Sequence, residues 1–498
     1  MSTPVVIETV DFSENLSVTL ANLLADAVRT YYLDPRVTAH LAPLRSWADP
    51  AAGRTEYYWT TEVPLAVRDF SPSTRLPVNI HLTITPKDVK VEVMGASPPT
   101  GDQRAALARL TDGIRAFVVS FLQFAKRSSL YVVVPPYPPS PAERQQPMRS
   151  GSEALRNIFS GNSTNVFLLV LILTLPAVLF LGYYALVLMV GAQGIVLYYS
   201  DRIALRVGSV RPSAQRPRGT VVGVTLRKDA QSPGTTQVRV SLPALRESLR
   251  DVIAATEDHG EDARSRVVEI LRQAGIHCTT EDIELTTRNV FDIVEKAAAR
   301  FHLPTPKVVL TDMPVSNAAA TGVSPRRASM VITAGSLEEL DDRQLEAVVG
   351  HELGHIRGHD AVILTSVNAA LYLGAVFVWP SVLVYLGFAY FVLALVILYL
   401  VGKVLETRAD TLSAAVLGSA GDLAMALTSI AFKELYGEER SPSVRFLRWL
   451  TPDPHPPVYF RISRLVKFAD RGLRTRHPLL ISARDCLAGF FGSLVGKG

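Results

Sequence analysis

Cysteine is almost missing from this 498-residue chain: only Cys278 and Cys486 occur, far apart and in unrelated contexts. Two cysteines exclude a disulfide framework and supply no CxxC metal pair, and they suit soluble parts kept in a reducing compartment. Charge is also scarce, at 19% of residues against 48% hydrophobic, which brings a membrane class into consideration at once. The opening stretch MSTPVVIETVDFSEN has no basic region followed by an apolar core. No secretory leader is expected there, and membrane entry would fall to internal segments. The net charge is +5, yet no compact basic block exists. The Arg and Lys residues are scattered or flank apolar runs, which excludes nucleic acid as the expected partner and reads as membrane-flanking charge.

What is present begins with two long runs without any charge, Asn165 to Tyr199 and Ala361 to Val401. Each exceeds one span of ~20 residues and suits two short spans, turning near Gly182 in the first and near Trp379, Pro380 and Ser381 in the second. Arginines stand on both sides of the first run (Arg144, Arg149 and Arg156; Arg202, Arg206 and Arg211), and Arg357, Lys403 and Arg408 flank the second. The positive-inside rule then sets both flanks of each hairpin in the cytoplasm. The expected fold class is α+β: a multi-pass membrane protein with four transmembrane helices in two hairpins, a mainly helical zincin-like catalytic domain and a small N-terminal α+β domain. A lipid bilayer, the cell membrane, is the expected setting.

Residues 1–134 read as the soluble α+β domain. Alternation at Val78, Ile80, Leu82 and Ile84, a TPKD turn, and alternation at Val89, Val91 and Val93 predict a β-hairpin. Leu107, Leu110, Ile114, Phe117, Val118, Phe121 and Leu122 recur at helical spacing. A proline-rich linker spans 135–164, the first hairpin 165–199, and a charged insert 200–284. Catalytic residues fall in 285–360 and 402–498, on either side of the second hairpin at 361–401. Within these, the pattern predicts a helix from Thr287 to Phe301 and strands at Lys307 to Asp312 and around Ser329 to Thr333.

The chemistry is concentrated in LDDRQLEAVVGHELGHIRGHD. Asp341 reads as a helix N-cap with Gln344 at the capping-box position, so one helix runs through the histidines. His351 and His355, at i and i+4, share a face and can bind one zinc ion, while Glu352 lies beside the open position where water would sit as the general base's substrate. By composition alone such a string arises in roughly one chain of this size in a hundred, and then it is a solvated helix face. A third ligand must come from another element. Glu406 in LETRADTLSA meets that need, and Asp410, one turn on, is placed to accept the free N–H of a ligand histidine. His359 is set aside because two histidines and Glu406 complete the ligand set.

The order of hairpin, SNAAATG, HELGHIRGHD, hairpin and ETRAD resembles the HtpX-type membrane zinc metallopeptidases, relatives of the CAAX prenyl proteases and of mitochondrial stress proteases. The likeness covers roughly residues 150 to 470. It implies one zinc ion per chain on His351, His355 and Glu406, with Glu352 as base. It also implies a substrate edge upstream of the metal helix, here Ser316, Asn317, Ala318 and Ala319 within Ser316 to Gly322, with Ala319 replacing the family's usual aromatic. An extended polypeptide would pair there through its backbone with little sequence preference. DPHPPVYFRISRL resembles a Thr-His-Pro-Pro segment, with Asp453 and Pro454 departing from it; His455 is then either a transition-state donor or gating ligand, or part of a turn.

These features predict a zinc metalloendopeptidase acting on misfolded or unfolded polypeptides, membrane proteins among them, in protein quality control. The competing expectation is a catalytically latent, zinc-binding membrane scaffold or chaperone. A site inside an apolar membrane helix is disfavoured, because Arg343, Glu346, Arg357 and Asp360 surround the motif.

Overall fold

The computed structural model describes residues 4–11, 18–29, 40–64, 75–94, 114, 118, 130–138, 180–225, 242–255, 261–276, 278–431, 434–435, 438, 442–471 and 477–494. They fall into two compact units that divide between Arg127 and Ser128.

The first unit is a five-stranded antiparallel sheet with one described helix. In chain order it holds β1 (Pro4–Asp11), α1 (Val18–Ala27), β2 (His40–Asp49), β3 (Arg54–Pro64), β4 (Arg75–Ile84) and β5 (Asp88–Met94), and the sheet order is β1-β5-β4-β3-β2. The anticipated hairpin is β4 and β5, paired from Asn79↔Met94 to Ile84↔Val89. Its turn is held by Thr85 Oγ1 donating to Asp88 Oδ1 at 2.6 Å. Alternation settles which face is covered: Val78, Ile80, Leu82, Val89, Val91 and Val93 are buried, as are Ala21, Leu24 and Ala25 of α1. Tyr57 on β3 reaches the helix, its hydroxyl donating to Ala25 O at 2.8 Å. Of the amphipathic stretch 107–122, Ile114 and Val118 are described, helical and buried; the rest lies outside the described residues.

The second unit opens with β6 (Leu130–Val134), α2 (Tyr183–Tyr198), α3 (Ser200–Ala204), β7 (Gly219–Val224), α4 (Leu242–Ala255) and α5 (Glu261–Gln273). Next come β8 (Ile283–Arg288), α6 (Val290–Arg300), β9 (Lys307–Thr311), β10 (Ala318–Ser324) and β11 (Arg327–Thr333). The chain ends in helices α7 (Ala334–Glu339), α8 (Asp342–Gly358), α9 (Asp360–Leu417), α10 (Ala420–Ile430), α11 (Pro442–Leu450), α12 (Val458–Arg471) and α13 (Pro478–Leu494).

Two three-stranded sheets organise this unit. β6, β7 and β8 are antiparallel in that order, so residues 130–134 pair with Gly219–Val224 and belong here, not to the first unit. β7 is buried along its whole length because both of its faces are covered. Val132, Val134, Val222 and Val224 pack on α4 and α5, while Tyr131, Val133 and Val221 join the main core with α6 and α8. The segment read as a charged insert therefore supplies a central strand and a covering helix pair. The second sheet runs β10-β11-β9, with β11 parallel to β9 and β10 antiparallel at its edge. The helix anticipated from Thr287 begins at Val290, because 287 and 288 complete β8.

The four transmembrane helices expected are not found among the described residues. Among the described residues no helix is long and apolar enough to cross a membrane. In the first charge-free run, α2 has 16 residues, about 24 Å at 1.5 Å per residue against a hydrocarbon core of ~30 Å; the first half of that run lies outside the described residues. The second run is helical throughout as α9, yet it doubles back on itself. Tyr390 Oη donates to Leu371 O at 2.5 Å, although a straight helix would hold residues nineteen apart about 28 Å from each other. Arg408 likewise pairs with Asp360 at the start of α9. The described apolar arms on either side of this reversal, 360–374 and 389–402, are each about 22 Å long, and charge returns at Lys403.

Candidate metal centre

Asp341 caps α8 as its composition suggested: its side chain accepts from Arg343 N and Gln344 N at 2.9 and 2.8 Å, and Gln344 Oε1 accepts from Asp341 N at 3.2 Å. The helix then buries one face through the HExxH turn, with His351 and Glu352 each only 7% exposed. Gly354 lets the second arm of α9 approach that face, since a Cβ there would stand 3.0 Å from Ala409 Cα. Glu406 and Asp410 are carried to the histidines by this approach. His359 ends α8 in the left-handed conformation (φ 56°, ψ 37°) and is not in the metal-ligating group.

His351 Nε2 and His355 Nε2 lie 3.1 Å apart. Glu406 Oε2 is 3.3 Å from the first and Glu406 Oε1 is 3.4 Å from the second. The outer nitrogens face carboxylates: His351 Nδ1 is 2.8 Å from Asp410 Oδ1, and His355 Nδ1 is 2.8 Å from Asp360 Oδ2. With the Nδ1 protons directed to those carboxylates, both Nε2 atoms present lone pairs to each other and to Glu406. Glu406 Oε2 is buried without a hydrogen-bond partner among the described residues. Three acceptors thus converge where no donor is available, a placement that a cation satisfies. Ligand atoms at 2.0–2.1 Å on a tetrahedral ion would be separated by about 3.3 Å, which matches the spacing found. Among the described residues this is the only group of three or more His, Cys, Asp or Glu side chains suited to a metal.

The surrounding charges hold the carboxylates ionised. Burial would raise Asp410, but the Arg461 guanidinium, donating from Nε at 2.9 Å and Nη2 at 2.8 Å, keeps it well below the usual range. Burial would raise Glu406 too, and His455 and His355 pull it well below. Glu352 moves the opposite way: burial pushes its carboxyl up, opposed by the two imidazoles. Its Oε2 accepts from Ala320 N at 2.7 Å, which joins the candidate base to the edge of β10.

Together these groups line a cleft of about 590 Å³ that also includes Leu423, Ile430 and His455. Of the anticipated substrate edge, Ala318 and Ala319 lie on β10, but the strand continues through Ser324, and Ser316 is buried with its hydroxyl donating to Ser336 Oγ at 3.3 Å. The strand edge thus covers the later part of the stretch Ser316 to Gly322. His455 is at the cleft, with Nε2 3.7 Å from Glu406 Oε1 and Nδ1 2.8 Å from Asp453 Oδ1. The sequence reading took Asp360 and Arg408 only as charges around the motif and the apolar run, and gave Arg461 no role. Asp360 closes HELGHIRGHD and Arg461 opens the Arg-Ile pair after His-Pro-Pro, so the only signal was closeness to motifs whose partners are distant in the chain.

A helix carrying two metal-facing histidines and a glutamate, beside a sheet edge and opposed by a carboxylate from a second helix, defines the class of HExxH metallopeptidase domains. Residues 284–469 match the description Peptidase family M48, so this stretch of the chain is similar to a metallopeptidase domain of that family. Relatives include a Protease HtpX homolog of Moorella thermoacetica, 35% identical over 161 residues, covering 28% of this chain and 53% of that protein. Another, from Desulforapulum autotrophicum, is 26% identical over 223 residues, 38% of this chain and 72% of the relative. A third, from Pediococcus pentosaceus, is 39% identical over 97 residues, 20% and 32% respectively. The chain spans about half the length, or less, of the relatives that it matches at 35% identity or more.

Proposed function

We propose that the chain is a zinc metalloendopeptidase that cleaves unfolded or misfolded polypeptides. The observation that carries this reading is the convergence of His351 Nε2, His355 Nε2 and Glu406 on one point, with Glu352 beside it. His351, His355 and Glu406 would hold a single zinc ion, and Asp410 and Asp360 would fix both histidines with Nε2 free to ligate. When bound, zinc supplies the Lewis acidity that activates water and polarises a scissile carbonyl. Glu352 takes the proton of the attacking water and returns it to the leaving amine. Its raised carboxyl suits a group that must both accept and release that proton, and Oε1 is the atom left to do so while Oε2 holds Ala320 N. His455, steadied by Asp453, is placed to donate to the oxygen that gains charge.

The substrate would lie along β10. Pairing through the backbone alone, with little call on side chains, supports unfolded polypeptides as substrates and a quality-control role. Exposed apolar side chains on α2 and the second arm of α9, including Leu188, Ile195, Leu393 and Val396, support a site at the cell membrane, with the catalytic unit on the cytoplasmic side where Arg202, Arg206 and Arg211 stand. The test is casein hydrolysis by the purified chain beside Glu352→Gln, with zinc measured in both. Cleavage lost in the variant at equal zinc supports the reading. Equal zinc with no cleavage by either after metal reloading turns it to a latent zinc-binding scaffold.

A further inference from the structure

A second, open cavity of about 680 Å³ lies beside the metal cleft, walled by α2 and α9. Both cavities are lined by Ala361, Leu364 and Pro454, and β10 passes from one to the other: Ala320 lines the cleft and Thr321 the second cavity. The walls are mainly apolar, with Met189, Val196, Tyr372 and Leu398 among them. Polar side chains interrupt them, Thr321, Thr365 and Asn368 among others, and two oxygens stand apart. Gln193 Oε1 and Ser200 Oγ are buried without a hydrogen-bond partner among the described residues, and both residues line this cavity. Buried oxygens left in this state are uncommon in folded proteins and call for a ligand that donates to them.

The register of β10 says what that ligand is. Asn317 O accepts from Thr333 N towards β11, whereas Ala320 N donates to Glu352 on the other side. By alternation Ala318, Ala320 and Gly322 face the free edge. A peptide pairing there advances about 3.3 Å per residue and passes Thr321 into the second cavity within a few residues of the scissile bond. We propose that this cavity is a specificity subsite that receives a bulky apolar side chain of an extended polypeptide substrate, with Gln193 Oε1 and Ser200 Oγ accepting N–H groups of the same segment. In antiparallel pairing that side chain lies on the amino side of the bond. A lipid acyl chain would fill the walls but leave both oxygens without donors, so a peptide is the better occupant. The proposal rests on the peptidase reading for the placement of the scissile bond.

The test uses the full chain and a set of fluorescein-labelled peptides in which one Phe is moved along an Ala-rich sequence. Binding to zinc-loaded Glu352→Gln is followed by anisotropy, and cleavage by wild type is followed alongside. One Phe position is expected to bind and be cleaved best, and Ala192→Trp, which fills the cavity from α2, is expected to lower the Phe-over-Ala preference about tenfold. Gln193→Leu is expected to weaken binding of every peptide. Benzoylphenylalanine at the preferred position should cross-link to residues 189–197, a readout that needs no cavity variant. Cleavage without positional preference, or cross-links confined elsewhere, overturns the subsite while leaving the peptidase standing. Position-dependent binding with no cleavage keeps the subsite and removes the peptidase. Displacement of an apolar dye by oleate but by no peptide assigns the cavity to lipid and overturns the proposal.

Discussion

Among the described residues, two clusters of histidine and glutamate stand out, one in each unit, and only the second is built for a metal. On the sheet of the first unit, His81 has Nδ1 2.8 Å from Glu92 Oε2 and Nε2 3.3 Å from Glu56 Oε2. Glu56 also accepts from Tyr58 Oη at 2.6 Å and Arg54 Nη2 at 2.7 Å, and Lys90 Nζ is 2.6 Å from Glu92 Oε1. Every carboxylate oxygen there faces a donor. In the second unit the residue types are the same but the count is reversed: two Nε2 lone pairs and Glu406 Oε2 meet with no donor between them. The difference is a matter of protons. Arg54, Tyr58 and Lys90 close the first cluster, whereas in the second Asp360 and Asp410 stand 2.8 Å from His355 Nδ1 and His351 Nδ1, and protons held there would turn the remaining acceptors inward.

The sharpest break of this comparison is removal of a ligand. His355→Ala should lose bound zinc and cleave casein at least about 10³-fold more slowly, while His81→Ala should leave the zinc content of the full chain unchanged, both read by metal analysis. Zinc lost from His81→Ala would place a second metal on the first sheet. Glu352→Gln should reduce turnover about 10²–10⁴-fold with zinc retained. Next in size, Asp410→Asn and Asp360→Asn should each weaken zinc about 10–100-fold in chelator competition; no change in either would mean that the outer carboxylates do not set the tautomers.

Arg461→Met leaves Asp410 buried without its guanidinium and should destabilise the zinc-free chain by about 3–5 kcal/mol, seen as a lower Tm. The folded Asp410 sits well below its ordinary value of 3.8. The gap between wild type and variant should therefore be full above about pH 3.8 and shrink as the pH falls towards the depressed value. The smallest effect is in the first unit. The hydrogen bond to Glu56 raises Tyr58 to about 12, so Tyr58 should still be protonated at pH 11 in an ultraviolet difference titration, within a lagging set that includes Tyr390, Tyr399 and Tyr459, which burial also raises. Tyr58→Phe should reduce the lagging amplitude by one tyrosine at a cost of about 0.5–1.5 kcal/mol.

Much of the centre was legible because its logic is local. The i and i+4 spacing of His351 and His355, the Asp341 cap and the ladder of alternating residues in β4 and β5 each depend on neighbours in the chain, and each formed as read. The long charge-free runs were misleading for a related reason. Apolar length reports that a segment will be buried or will meet apolar surroundings, but not whether it crosses a membrane. The turn expected within 361–401 is present, since α9 doubles back, but the described arms on either side are too short to cross a membrane. The strand at 130–134 was assigned to the wrong unit because its pairing partner, 219–224, is about ninety residues away.

Residue spacing by itself determined that one helix would present two imidazoles and a carboxylate to one side, because helical periodicity is set by adjacent backbone hydrogen bonds. Which carboxylates close the set was decided only in three dimensions. Asp360 and Asp410 lie at opposite ends of one helical segment, and they reach the two histidines because that segment doubles back. Arg461 arrives from a further helix to hold Asp410 ionised. Contacts between such distant residues depend on where the packed chain returns, and it is there that a common pair of histidines gains its third converging ligand atom.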